Sequence, residues 1–359
     1  MTTGGRTIRG LSYAALAVTG LALLPPVQAR GKAVAVLAEG IGLPFPRPAG
    51  APVARVAVEM GGVPGDLYSP GRPAPAIVLI PGAAPGGKDD PRVVRVAYAL
   101  ARAERVVFVP TLELAERRFV VEDIDRIARC AAALADHEVV RGRVTLLGFS
   151  YGGSFGLVAA ADPRLDGRLA QVAVFGAYFD LVGLVQAVTT GVSLVDGRRI
   201  PWDGHPLAQA ILRARAVTLA PEREQNALIM ALEGGSPEEL TPPTRAIYDL
   251  LVNEDPARTF DLAARLPAGA RDLLAQFSPS SVADRIDVPV VAMHSTDDPA
   301  VPFGEALRLE RGIPGTRLVD VEVFRHVDFS AASPSAWLQA ADDLWNAWRF
   351  TSWLLAAQE

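Results

Sequence analysis

From residue 55 onward, short apolar runs alternate with longer runs in which apolar positions recur every three or four residues. Residues 55–60 (RVAVEM) alternate polar and apolar, as a half-exposed edge strand does, and 65–68 can be its hairpin partner. Residues 76–80 (AIVLI) are uniformly apolar and stop at Pro81-Gly82, the pattern of a strand buried on both faces. The same reading gives strands at 105–109, 143–147, 171–175, 288–293 and 316–324. Between them, Val93, Val96, Ala97 and Leu100 share one helical face, and Ile124, Ile127, Ala128, Ala131 and Leu134 another. The first of these helices opens on Asp90-Pro91, an acidic N-cap followed by proline in the first turn. Strand–helix alternation predicts an α/β fold with a mostly parallel sheet and helices on both faces.

The alternation breaks between residues 180 and 278. Prolines at 206, 221, 237, 256 and 267 each open a short helical stretch there. Because core strands precede and follow it, this segment is an insertion, read as a helical cap or lid over the end of the sheet. The bland alternative is a helical subdomain with no part in the site. The organisation expected is therefore a core of residues 53–180 and 279–359, a cap at 181–278, and a separate amino-terminal segment at 1–52.

That segment carries Arg6 and Arg9 ahead of twenty uncharged residues, 10–29, with its apolar heart at 11–24. Two readings fit: a membrane anchor, since a bilayer needs about 20 apolar residues, or a secretory signal cleaved after Val27-Gln28-Ala29. Either puts the catalytic domain outside the cytoplasm, membrane-anchored or secreted. Both leave the segment out of the catalytic fold. Pro44, Pro46, Pro48 and Pro52 follow as a stiff linker.

Composition narrows the function. The chain has 359 residues, 50% hydrophobic and 21% charged, so it can bury a large core and is not disordered. A net charge of −5 argues against nucleic acid as a partner. One cysteine, Cys130, excludes an internal disulfide and a cysteine-based metal cluster, and four histidines leave few ways to build a histidine-rich one. No metal or other cofactor is expected. Four of the five tryptophans (Trp337, Trp345, Trp348, Trp353) lie near the carboxyl end. Trp337, Trp345 and Trp348 share a helical stripe with Leu344, to be packed on the sheet or set against lipid.

The chemistry centres on Gly148-Phe149-Ser150-Tyr151-Gly152. The pentapeptide follows an apolar strand and opens a helix, the context in which G-x-S-x-G forms a nucleophile elbow. A sharp turn there pushes the Ser150 hydroxyl into the cleft, and the following helix N-terminus offers a positive dipole to an oxyanion. A serine nucleophile needs a base and the base an orienting acid. His326, just past the last strand, is the candidate base, ahead of His137, His205 and His294. Asp298, in the loop after the penultimate strand, is the candidate acid, with Asp297 and Asp180 as rivals. The second oxyanion donor, beside the Tyr151 N–H, is expected from Ala83 or Ala84. Pro85 has no N–H to give.

With these residues in place the chain resembles the α/β-hydrolases over roughly residues 52–353. The residues that carry the likeness are GFSYGG at 148–153, IPGAAPGGKDDPR at 80–92, the loop from Asp298 to Pro302, and His326. Within that superfamily it is similar to dienelactone-hydrolase-like and esterase-like members. Ser150 sets it apart from dienelactone hydrolases proper, which carry cysteine there, and from relatives with an aspartate nucleophile. Where such enzymes often have His-Gly before the oxyanion loop, this chain has Pro81-Gly82, and Ser295 replaces the usual glycine at the start of the acid loop. The resemblance implies the α/β-hydrolase fold, with an eight-stranded sheet, and metal-free hydrolysis of a small-molecule ester or related acyl compound. A peptidase, thioesterase or acyltransferase on the same triad, and an inactive membrane-tethered binding protein, are the competing readings.

Overall fold

The computed structural model describes residues 27–40, 52–322 and 341–357. Its elements begin with helix α1 (Val27–Gly40), strands β1 (Ala54–Met60), β2 (Val63–Ser69) and β3 (Ala74–Ile80), helix α2 (Pro91–Arg102), strand β4 (Val106–Pro110) and helix α3 (Glu122–Ala135). Strand β5 (Val140–Phe149), helix α4 (Tyr151–Ala160) and strand β6 (Leu169–Phe175) follow. The inserted segment holds α5 (Leu181–Thr190), β7 (Val192–Val195), β8 (Arg198–Pro201), α6 (Pro206–Val217), α7 (Glu222–Leu232), α8 (Pro242–Leu251), α9 (Thr259–Ala264) and α10 (Ala268–Phe277). The chain then returns through β9 (Val290–Ser295), α11 (Phe303–Gly312), β10 (Arg317–Val321) and α12 (Ala341–Ala356).

Eight strands form one sheet in the order β1-β2-β4-β3-β5-β6-β9-β10. β2 runs antiparallel to both neighbours, and every pair from β4 to β10 is parallel. The buried stretches of the central strands are mostly apolar because both faces are covered. On β3, Ala76, Val78 and Ile80 face the layer holding α3 and α4, while Ile77 and Leu79 face α1, α2 and α12. All five are fully buried. Burying one such aliphatic side chain contributes roughly 1.5–3 kcal/mol.

Three features depart from the sequence reading. Residues 27–40, assigned to a segment outside the catalytic fold, form helix α1, which packs on the core with Ala29, Ala33 and Val36 inward. The inserted segment is not all helix: β7 and β8 pair as a hairpin whose turn, Asp196-Gly197, has φ values of 49° and 75°. Finally, α12 packs through Ala347, Phe350, Leu354 and Leu355, whereas Trp345 is 53% exposed and stacks on Trp348. Trp337 lies outside the described residues, as do residues 1–26 and three linker prolines, Pro44, Pro46 and Pro48. Among the described residues no helix is long and apolar enough to cross a membrane.

Candidate active site

Ser150 sits between β5 and α4 with φ 52° and ψ −131°, a conformation that a side-chain-bearing residue holds only under constraint. The constraint comes from its neighbours. A Cβ on Gly148 would lie 2.4 Å from Gly153 Cα, and one on Gly152 would lie 2.2 Å from the Pro81 carbonyl oxygen. Only glycine lets β5, the elbow and the loop after β3 approach this closely. The Ser150 N–H donates to the Phe175 carbonyl (2.7 Å), tying the elbow to the end of β6. Ser150 is 6% exposed.

The loop after β3 lies against Ser150, since a Cβ on Gly82 would stand 3.1 Å from Ser150 Cβ. The sequence left Ala83 and Ala84 open as oxyanion donors. The Ala84 N–H already donates to the Gly82 carbonyl (2.8 Å), closing a tight turn. Tyr151 is the first residue of α4, so its N–H lies at the helix N-terminus. Its ring meets Phe119 and Tyr178 edge-on at 4.9 and 5.2 Å between centroids. Burial, and next the negative charge of Asp298, push the Tyr151 phenol well above its usual range.

The three candidate acids stand in different surroundings. Asp298, beyond the end of β9, is 1% exposed, and its Oδ1 accepts from the N–H groups of Ala300 and Val301 (2.8 and 2.9 Å). Asp297 is exposed. Asp180 caps α5: its Oδ1 accepts from Val182 N–H (2.7 Å) and its Oδ2 from the Ser280 hydroxyl (2.6 Å). In the sheet, Phe149, Phe175 and Met293 are level across β5, β6 and β9. Ser150 and Asp298 therefore leave the same edge of the sheet two strands apart, about 10 Å by ordinary strand spacing. His326 lies outside the described residues, five positions beyond Val321, the last residue of β10.

His294 is buried beside the acid, with Nε2 3.7 Å from Asp298 Oδ2. Its closer partner is the Val301 carbonyl, at 2.9 Å. A carbonyl can only accept, so Nε2 carries the proton and donates to it. This histidine braces the acid loop. Among the described residues, no group of three His, Cys, Asp or Glu side chains is placed to hold a metal ion.

Next to the elbow lies a cavity of about 150 Å³. Phe119, Tyr151 and Tyr178 form its core side; Leu181, Val185, Ile247, Leu250 and Phe277 are among the residues that form its cap side. The lining is overwhelmingly apolar. The Tyr178 hydroxyl is turned away to the Phe277 carbonyl (2.9 Å). Sequence patterning could not find this cavity, because its walls come from segments more than 150 residues apart.

Parallel strands from β4 to β10, an antiparallel β2, and a strained serine in the turn between β5 and α4 settle the architecture. The chain has the α/β-hydrolase fold. No protein-family model and no curated protein matches its sequence. Solved structures resemble it at low identity. A hormone-sensitive lipase from a metagenome library is 15% identical, with a TM-score of 0.48, over 93% of this chain and 94% of that one. Est1E from Butyrivibrio proteoclasticus is 12% identical, with a TM-score of 0.46, over 81% and 96%. A 2,6-dihydroxy-pseudo-oxynicotine hydrolase is 15% identical, with a TM-score of 0.46, over 86% and 68%.

Proposed function

We propose that this protein is a serine hydrolase that cleaves carboxylic esters of compact, apolar acyl groups. The observation that carries the reading is Ser150, held at φ 52° on the α/β-hydrolase elbow beside an apolar cavity. His326 takes the Ser150 proton as the oxygen attacks the ester carbonyl. Asp298, fixed by two backbone N–H groups, orients the imidazole and stabilises its cation. The Tyr151 and Ala83 N–H groups bind the oxyanion; losing one such donor typically raises the barrier by about 3 kcal/mol. His326 then protonates the leaving alkoxide, and water, activated by the same histidine, cleaves the acyl-enzyme and restores Ser150.

The test is hydrolysis of p-nitrophenyl esters, with fluorophosphonate labelling in parallel. Ser150→Ala is expected to abolish both while leaving the fold intact. A wild-type protein that neither turns over nor labels would favour a binding protein on a hydrolase fold.

The leader at residues 10–29 is read as a membrane anchor, with the catalytic domain on the outer side. Support comes from α1: cleavage after Ala29 would remove a residue that is fully buried against the core. Intact mass of the protein recovered from cell membranes decides this. A mature chain beginning at Arg30 would replace the anchor with a secretory signal.

A further inference from the structure

The loop that carries Asp298 is gripped by the cap. Trp202, just past β8, is 9% exposed and donates its indole Nε1–H to the Asp298 backbone carbonyl at 2.8 Å. Three residues on, the His205 N–H donates to the Pro299 carbonyl at 2.7 Å. The indole is held in turn. It packs on Ala187 and Val188 of α5, the Trp202 backbone N–H donates to the Gly191 carbonyl (2.8 Å), and the ring lies so close to Gly204 that a Cβ there would sit 2.2 Å from it. The helix that follows this loop, α11, is docked on the cap as well. Arg308 on α11 donates through Nη2 to Gln186 Oε1 (2.8 Å) and to the Leu194 carbonyl (2.9 Å). Gly304 meets Ser193 of β7 so closely that a Cβ would stand 2.3 Å away.

We infer that Trp202 is a positioning residue for the acid Asp298, so that the cap hairpin sets the alignment of the catalytic pair. This rests on the serine-hydrolase reading above. The carboxylate of Asp298 is fixed inside its own loop by Ala300 and Val301, so the loop moves as a unit with Asp298. From the core side His294 braces that unit at the Val301 carbonyl; from the cap side the indole N–H and the His205 amide hold it, and the indole bond falls on Asp298 itself. A shift of a few tenths of an ångström at the Asp298 carbonyl is carried to its carboxylate. There it weakens the hold on the His326 imidazolium.

Trp202→Phe removes the N–H and keeps an aromatic ring against Ala187 and Val188. Val188→Ala serves as the comparison: it loosens the packing of the same indole and leaves its hydrogen bond. The readout is the rate of Ser150 labelling by a fluorophosphonate as a function of pH, which needs no knowledge of the substrate, alongside thermal stability. Losing one neutral hydrogen bond corresponds to roughly a five- to tenfold fall in rate. The expected result for Trp202→Phe is a fall of that size, with the acid limb of the profile moved to lower pH because a less stabilised imidazolium has a lower pKa. Val188→Ala is expected to lower stability without moving the limb. An unchanged profile in Trp202→Phe overturns the inference, as does an equal rate loss in both variants that tracks stability alone. A wild type that does not label at Ser150 is a different failure: it removes the hydrolase reading itself, and this inference with it.

Discussion

Ser150 is reactive only if its neighbours stay small. The Gly152 Cα faces the carbonyls of Ile80, the last residue of β3, and of Pro81 just after it, so backbone rather than a flexible side chain would meet a Cβ there. Gly152→Ala is therefore expected to destabilise the protein by about 3 kcal/mol or more, beyond the usual overpacking cost, as read by urea unfolding. A second residue answers to pH. Glu305 on α11 is completely buried; its Oε2 accepts from the N–H groups of Phe179 and Asp180 (3.0 and 2.7 Å). Burial pushes its carboxyl from 4.5 up to about 7, outweighing the nearby Arg308 and the two amides. The folded state thus holds a proton that the unfolded chain releases near pH 4.5. Stability from this group is full below that value and declines as pH rises to about 7, then stays level. Glu305→Gln, which cannot ionise, is expected to flatten the slope of unfolding free energy between pH 4.5 and 7. A slope equal to the wild type's would assign the proton elsewhere.

At the scale of elements, legibility followed burial. The central strands were readable because sheet positions covered on both faces are mostly apolar: all seven residues of β6 are buried, and its one polar residue, Gln171, donates to the Leu354 carbonyl (2.8 Å). The elbow was readable because its steric demands fall on consecutive residues. The cap hairpin was missed although it carried a signal: Asp196-Gly197 between Val192–Val195 and Arg198–Pro201 is the turn dipeptide of a two-residue hairpin, masked by the helical stretches around it. Helix α1 was missed because, past Arg30 and Lys32, residues 33–38 resume the apolar character of the leader. It belongs to the core by its contacts: Trp348 Nε1 donates to the Arg30 carbonyl (3.1 Å), and Lys32 pairs with Glu104 (2.8 Å). Ala33 is fully buried at that junction, whereas the adjacent Val34 is 45% exposed. Ala33→Asp places an unpaired charge between packed helices and is expected to cost about 3 kcal/mol or more. Val34→Asp is expected to stay within about 0.5 kcal/mol of the parent. Equal melting temperatures for the two variants would mean that α1 is not docked.

Across the whole molecule, the cap has an apolar cluster of its own and also packs on the core through Phe277, Leu181 and Leu184, and the cavity lies where the two meet. Val217, Leu228, Ile247 and Leu250 belong to a cluster of the cap's own, so the cap can hold its shape while its inner surface walls the cavity next to the elbow. The α/β-hydrolase fold does not choose a substrate; under the proposed esterase reading that choice falls to the cavity. Its volume, about 150 Å³, matches an apolar space known to accommodate a benzene ring, about six carbons. Esters of acyl groups near that size, straight or aromatic, are expected to give the highest kcat/KM, with activity falling for acetyl esters and again for long chains. Val185 is the residue to vary, because it lines the cavity from α5 and is only half-buried. Val185→Phe fills part of the space. It is expected to lower kcat/KM for a hexanoyl ester roughly tenfold, the cost of about 1.4 kcal/mol of lost apolar contact and crowding, while acetyl ester hydrolysis is retained. Equal losses on both esters would show damage to the catalytic groups, and no loss on either would place the acyl group outside this cavity.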